Sequence, residues 1–193
     1  MKSIFLVVSI LLSGITFAQN VYVAESVKSQ PLVYRDKNGR YDGCGIRTVF
    51  VTNVPKPSHI GDISVNIFRQ DSGNIIGLVK VMYSKIDNLK DVNSTKNLPL
   101  SKFMFATTSG KALRLGEIRK GEVPDTYLAQ SSAEDAIDYI FDATAGASTE
   151  VGITFKDSDG SMRIFSLKNV PLTKDELTPM GLCIKQLTSK ASK

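Results

Sequence analysis

The chain has 193 residues, 42% hydrophobic and 22% charged, with a formal net charge of +5 and a single histidine. The apolar fraction suffices for a packed core and excludes a disordered polyelectrolyte. The small charge surplus excludes a strongly basic nucleic-acid binder. One imidazole leaves little for hydrolytic triads or histidine-based zinc sites.

In chain order, the first eighteen residues read as a signal peptide. Lys2 supplies the basic start, Ile4 to Leu12 the apolar run, and Thr16 and Ala18 frame a cleavage point. The run is too short and too broken by Ser9, Ser13 and Gly14 to span a bilayer. The mature chain, 19–193, is expected to begin at Gln19 as one β-rich domain without a transmembrane segment, in the periplasm or secreted. Lys2 leaves with the signal, so 23 basic residues remain against 19 acidic ones. Lys80, Lys85, Lys90, Lys96 and Lys102 are scattered, as on a solvated face, with no dense basic run for a polyanion.

Next comes the segment Tyr41-Asp42-Gly43-Cys44-Gly45-Ile46-Arg47. Its paired glycines predict a bend or a close approach of backbone, on the way into a first long strand around Val49 and Val51. A rim of Tyr34, Tyr41 and Arg47 is the candidate contact surface, because tyrosine and arginine are favoured at interfaces. Val54 to His59 reads as a proline-stiffened loop that holds the one histidine.

Period-two alternation then dominates. Ile63, Val65 and Ile67 face one side, Asp71-Ser72-Gly73-Asn74 turns the chain, and Ile75 to Ser84 resumes the pattern, which predicts a hairpin. Asp87 to Leu100 reads as a polar surface loop; its Asn93-Ser94-Thr95 triplet matches a glycosylation acceptor by chance. Phe103 to Thr108 and Ala112 to Ile118 predict a second hairpin around Ser109-Gly110-Lys111. Val151 to Phe155 and Met162 to Leu167 predict a third around Asp157-Ser158-Asp159-Gly160.

Two helices interrupt the strands. From Ser131, apolar residues at Ala133, Ile137, Ile140, Phe141 and Thr144 give a helical stripe, with Ser131 and Glu134 as a capping box and Asp135, Asp138 and Asp142 outward. Near the end, Pro179 predicts a break: a short turn capped by Thr173 and Glu176, then a helix capped by Thr178 with Pro179 at its first position. Its stripe is Met180, Cys183, Ile184 and Leu187. Two cysteines in an exported chain predict one bridge, Cys44 to Cys183, pinning this helix. Without a Cys-x-x-Cys spacing or an adjacent base, neither reads as a catalytic thiol.

Catalytic motifs are absent from the sequence. No Gly-x-Ser-x-Gly occurs, and Thr107-Thr108-Ser109-Gly110-Lys111 has Phe105 where a phosphate-binding loop requires glycine. Asp36-Lys37-Asn38-Gly39-Arg40-Tyr41-Asp42 has Arg40 at a position where a calcium loop wants an acid, and it lacks the bidentate glutamate. Asp157 and Asp159 serve the hairpin. No catalytic residue, metal or cofactor is expected.

The last third runs helix ending Ala145-Gly146, strand, Asp157-Ser158-Asp159-Gly160, strand ending Ser166-Leu167-Lys168-Asn169, helix. Over about 55 residues this resembles the end of the invasion-associated locus B family of exported bacterial proteins, where Ser-Leu-Lys-Gly stands at the second strand's end; Asn169 replaces that glycine. The resemblance implies an envelope or secreted β-sandwich without known catalytic residues.

The expected architecture is mainly β: an antiparallel sandwich or flattened barrel of seven to nine strands, one amphipathic helix, and a disulfide-pinned terminal helix. The expected role is a non-enzymatic binding or structural one in the bacterial cell envelope, toward another envelope protein or a glycan and not a nucleic acid. A secreted hydrolase using carboxylates, and an inhibitor or immunity-type protein, are the alternatives.

Overall fold

The computed structural model describes residues 21–53, 56–87, 95–107, 110–156 and 160–189. The expected signal peptide 1–18 and its cleavage point lie outside the described residues. So do Asn93, Ser94, Thr108, Ser109 and Asp157 to Asp159 of the turns and triplet named above.

Among the described residues, twelve strands and two helices follow in the order β1 (Val21–Val23), β2 (Ser26–Arg35), β3 (Tyr41–Thr52), β4 (Ser58–Arg69), β5 (Ile75–Ile86), β6 (Thr95–Asn97), β7 (Leu100–Thr107), β8 (Ala112–Leu113), β9 (Arg119–Lys120), β10 (Thr126–Ser132), α1 (Ala133–Thr144), β11 (Ser148–Phe155), β12 (Met162–Lys168) and α2 (Lys174–Thr188). The count exceeds the expected seven to nine because β1, β6, β8 and β9 are only two or three residues long, too short to show a period. One sheet runs β2-β3-β4-β5-β10-β9, with β6 also paired to β5; the other runs β1-β12-β11-β7-β8. Pairing is antiparallel throughout except for β1 beside β12.

The two sheets stack face to face as a sandwich and do not close into a barrel. Alternation decides what lies between them, since directly opposed residues share a face. Ile46, Val65, Val79 and Ala129 stand opposite one another across β3, β4, β5 and β10, and all are buried. Phe103, Phe105, Val151, Ile153, Phe165 and Leu167 face them from the smaller sheet. The contact is aromatic at one end: Phe50 and Tyr83 meet Phe165 at ring-centroid distances of 5.6 and 5.3 Å, and Tyr83 meets Phe155 at 5.2 Å.

The chain passes between sheets at Ala24 and Glu25. The Ala24 amide donates to the Ser166 carbonyl in the smaller sheet, and the Glu25 amide donates to the Val51 carbonyl in the larger. Two adjacent residues thus clasp one side of the sandwich. β2 then takes the sheet edge, where Pro31 is tolerated because an edge position need not donate into the ladder.

Both helices pack on the inner face of the larger sheet. α2 is fastened by the Cys44–Cys183 disulfide, with Cα atoms 6.2 Å apart and both cysteines fully buried. Met180, Cys183, Ile184 and Leu187 form its buried face as the spacing requires. The expected break at Pro179 is absent. One helix runs from Lys174 through Pro179 to Thr188, opened by the Thr173–Glu176 capping box. The proline removes one amide donor, and the bridge and buried stripe beyond it outweigh that loss.

α1 starts one residue later than its sequence suggests. Ser131 belongs to β10, opposite Gly77, and Ser132 is the cap, its Oγ accepting from the Asp135 amide at 3.0 Å. The buried face is also rotated: Ala136, Tyr139, Ile140, Ala143 and Thr144 point inward, while Phe141 is 51% exposed. Gly77 makes room for this rotation. A Cβ there would lie 2.8 Å from the Ala136 Cβ, so the bare strand admits the helix at its small residues.

Three further expectations are corrected. His59 lies in β4, not in a loop; it is buried and stacks on the Tyr83 ring at 5.5 Å. The second hairpin is cut short, since β8 covers only Ala112 and Leu113 and residues 114–118 leave the ladder. The polar stretch after Asp87 contributes β6 to the larger sheet. The first hairpin, β4–β5, and the third, β11–β12, match the sequence, and Gly73 and Gly160 take the positive φ that their turns need.

Candidate binding face and cleft

With the helices and the smaller sheet all on the inner side, the larger sheet turns its other face outward without a second layer among the described residues. Its register fixes what that face presents. One row reads Gln30, Arg47, Ser64, Lys80, Leu128 and Arg119 across β2, β3, β4, β5, β10 and β9. Neighbouring rows carry Leu32, Gly45, Asn66, Leu78 and Gln130, then Tyr34, Gly43, Phe68 and Ile76. Leu32, Phe68, Ile76, Leu78, Met82 and Leu128 are half-buried, so apolar surface alternates with polar groups.

The two glycines beside Cys44 shape one end of this face. β3 runs on unbroken through them, and its bareness lets β4 side chains fold across it. The Phe68 ring occupies the space a Gly43 side chain would take, and Asn66 lies over Gly45. Tyr34 packs on Phe68 at 5.0 Å, its hydroxyl donating to Asn66 Oδ1 at 3.4 Å, and Asn66 Nδ2 donates to Ser64 Oγ at 3.1 Å. Partial burial raises the Tyr34 phenol above its ordinary pKa, with the Arg47 charge opposing. Arg47 forks onto Asp62, Nε to Oδ1 at 2.9 Å and Nη2 to Oδ2 at 2.5 Å. That hydrogen-bonded carboxylate raises the arginine's own pKa.

Of the three residues singled out by sequence, Tyr34 and Arg47 therefore share the outward face, while Tyr41 does not. A register shift between Tyr34 and Arg35 sets Tyr41 opposite Arg35. There it packs toward the core with the Arg35 guanidinium 4.0 Å above its ring.

A feature that sequence did not suggest lies at the other end of the face. Where residues 114–118 leave the ladder, a cleft of about 770 Å³ opens beside β10. Leu78 and Leu128 contribute from the sheet and Leu115 from the departing segment, with Arg114, Glu117, Arg119 and Lys120 at the rim. The Gly116 amide donates to the Gln130 carbonyl at 2.8 Å, holding the segment against β10. Arg119 pairs with Glu117 at 3.2 Å, and Arg114 grips Asp135 of α1 through two nitrogens at 3.0 and 3.1 Å. No motif marks these residues; only the early end of β8 creates the space.

A second, smaller cleft of about 300 Å³ lies between β8 and α1, lined by Thr107, Lys111, Leu113, Arg114, Asp138 and Tyr139 among others. Its charges are spent on latching the hairpin to the helix, Lys111 to Asp138 at 2.7 Å and Arg114 to Asp135.

The shifted carboxyls have structural explanations. Asp36 is held below the ordinary carboxylate range first by the Arg40 amide, and its Oδ1 also accepts from the Asn38 amide. That carboxylate serves the β2–β3 turn, which accounts for the run that resembles a calcium loop. Asp135 is lowered first by its hydrogen bond from Arg114, and Glu176 by the Thr173 amide. Burial pushes the Tyr139 phenol up to about 12. Among the described residues, no three His, Cys, Asp or Glu side chains gather as a metal centre requires. No described helix is long and apolar enough to cross a membrane.

No protein-family model, curated protein or solved structure matches the chain. Its class rests on its own fold: a disulfide-bonded two-sheet β-sandwich with two helices on the inner face of the larger sheet.

Proposed function

We propose that the chain is an exported, non-enzymatic binding protein of the bacterial cell envelope, periplasmic or secreted. It contacts another envelope protein or a glycan through the outward face of the larger sheet. One observation carries this reading: the inner face is sealed by two helices and a second sheet, whereas the outward face keeps half-buried apolar side chains beside Tyr34, Arg47 and Lys80 with no layer over them among the described residues. Mixed apolar and polar surface of that kind marks interaction sites.

The signal-like first eighteen residues support export, and a buried disulfide suits an oxidising compartment. The resemblance of the last third to invasion-associated locus B proteins points the same way. Photo-crosslinking in the producing bacterium tests the reading. A photoreactive residue at Tyr34 or Met82 should give discrete adducts, and one at Met104 on the opposite sheet should not. Adducts from Met104 alone, or from no position, would overturn it.

A further inference from the structure

The cleft beside β10 differs in composition from the rest of the outward face. Three leucines, Leu78, Leu115 and Leu128, line an open space of about 770 Å³, within the ~300–1,000 Å³ usual for small-molecule sites. Around them the charge is one-sided. Arg114 is committed to Asp135, and Arg119 is tied to Glu117. Lys120 on the rim, and Lys80 directly opposite Leu128, form no ion pair among the described residues. Their four-carbon stems can lie along the leucines while the ammonium groups reach whatever enters.

We infer that this cleft binds a single-chain amphipathic anion, a run of methylene groups carrying a carboxylate or phosphate head. The inference rests on the outward face being a binding face and goes beyond the protein or glycan partner named above, giving the cleft a ligand class of its own. The leucines remove the chain from water, and the ammonium groups of Lys80 and Lys120 complement the head.

Competing occupants fit less well. Nucleobases and sugars dock on aromatic platforms, and none of the residues lining the cleft is aromatic. A peptide added as a strand would need the free edge of β10, and Gly116 already occupies the Gln130 carbonyl there. A cationic amphiphile would meet Lys80 and Lys120, while the one acidic side chain on the rim, Glu117, is paired with Arg119.

Methyl and amide NMR of the natively purified, oxidised protein tests the inference, with each amphiphile kept below its micelle concentration. Dodecanoate and dodecyl phosphate should both shift Leu78, Leu115 and Leu128, and their relative affinities identify the preferred head. Dodecyltrimethylammonium should bind at least about tenfold more weakly, and acetate or inorganic phosphate should leave these signals unmoved. A Lys80→Glu/Lys120→Glu double variant, exposed and so expected to unfold at the wild-type temperature, should weaken both anions about tenfold and favour the cation.

Equal binding of both charge signs, shifts confined to other surfaces, no shift with either anion, or unchanged anion binding in the double variant would overturn the inference. Crosslinks from Tyr34 or Met82 persisting without amphiphile binding would remove this ligand class alone. Loss of both would remove the binding face as well.

Discussion

At Gly45 a Cβ would overlap the Val65 carbonyl oxygen and lie 2.7 Å from the Asn66 Cα, both on the neighbouring strand. Backbone in the middle of a ladder cannot step aside. Alanine gains about 0.5–1 kcal/mol over glycine by conformational entropy, but overpacking costs about 1–3 kcal/mol. Gly45→Ala is therefore expected to lower stability by about 1–2 kcal/mol in urea unfolding. At Gly152 the atoms in the way are the Met162 Sδ at 2.6 Å and the Met104 Cγ at 2.7 Å, on flexible side chains that can swing outward. Gly152→Ala should stay within about 1 kcal/mol of the parent. Equal losses at the two sites would refute the distinction between backbone and side-chain obstruction.

Asp135 gives a pH signature at the same scale. Its folded pKa is depressed, so its contribution is present above the ordinary carboxylate value near 4 and is lost as pH falls through the folded value. Asp135→Asn should show a smaller loss of unfolding midpoint between pH 7 and pH 3 than the parent. An identical pH profile would show that the Arg114 contact contributes nothing. Residue pairs of this kind were not legible in the sequence, because Arg114 and Asp135 meet only through the packing of α1 on β8. Tyr34 and Arg47 could be picked out by type, yet their separation from Tyr41 depends on a one-residue register shift that composition does not encode.

Among the elements, α2 shows how tertiary fastening overrides local propensity. It is held by the bridge to Cys44, by four buried side chains, and by Arg69, whose Nη2 donates to the Gln186 and Leu187 carbonyls at 3.2 and 2.7 Å at its end. Pro179 withholds the amide that would face the Asp175 carbonyl. Pro179→Ala should thus stabilise the protein by about 1–3 kcal/mol, read as a raised thermal midpoint; an unchanged or lowered midpoint would mean the helix is kinked to suit the proline.

Replacing both cysteines by alanine should cost up to about 4 kcal/mol, since the bridge closes a loop across 139 positions. Loss of less than about 1 kcal/mol would show that packing alone holds α2. The hairpins were legible because their turns carry Asp-Ser-Gly-Asn and Asp-Gly between alternating strands. The face of α1 was not, because a 3.6-residue period admits neighbouring stripes and partners far away in sequence, Gly77 beneath Ala136 and Phe105 against Tyr139, select one. β10 was missed for a related reason: Tyr127 and Ala129 alternate inward, but the small Ser131 and Ala129 dilute the pattern.

For the whole molecule, the cysteine count and the alternation were enough to anticipate a β-sandwich or flattened barrel with a pinned terminal helix, and the structure is the sandwich. The placement of both helices on one side was not, because it requires knowing which strands neighbour β3 and β5. That placement divides the protein into a sealed interior and an outward sheet face. The cleft follows from the same arrangement, where a hairpin strand ends early and leaves β10 partly uncovered.

Hydroxyl-radical footprinting of the oxidised protein, alone and in native envelope extract, addresses this division most directly. In the free protein, labelling is expected at Tyr34, Leu78, Met82 and Leu128 but not at Phe50, Ile63 or Val81, and in extract the first group should be protected while Met104 and Val23 stay labelled. Protection confined to Met104 and Val23, or no change on the outward face, would contradict it.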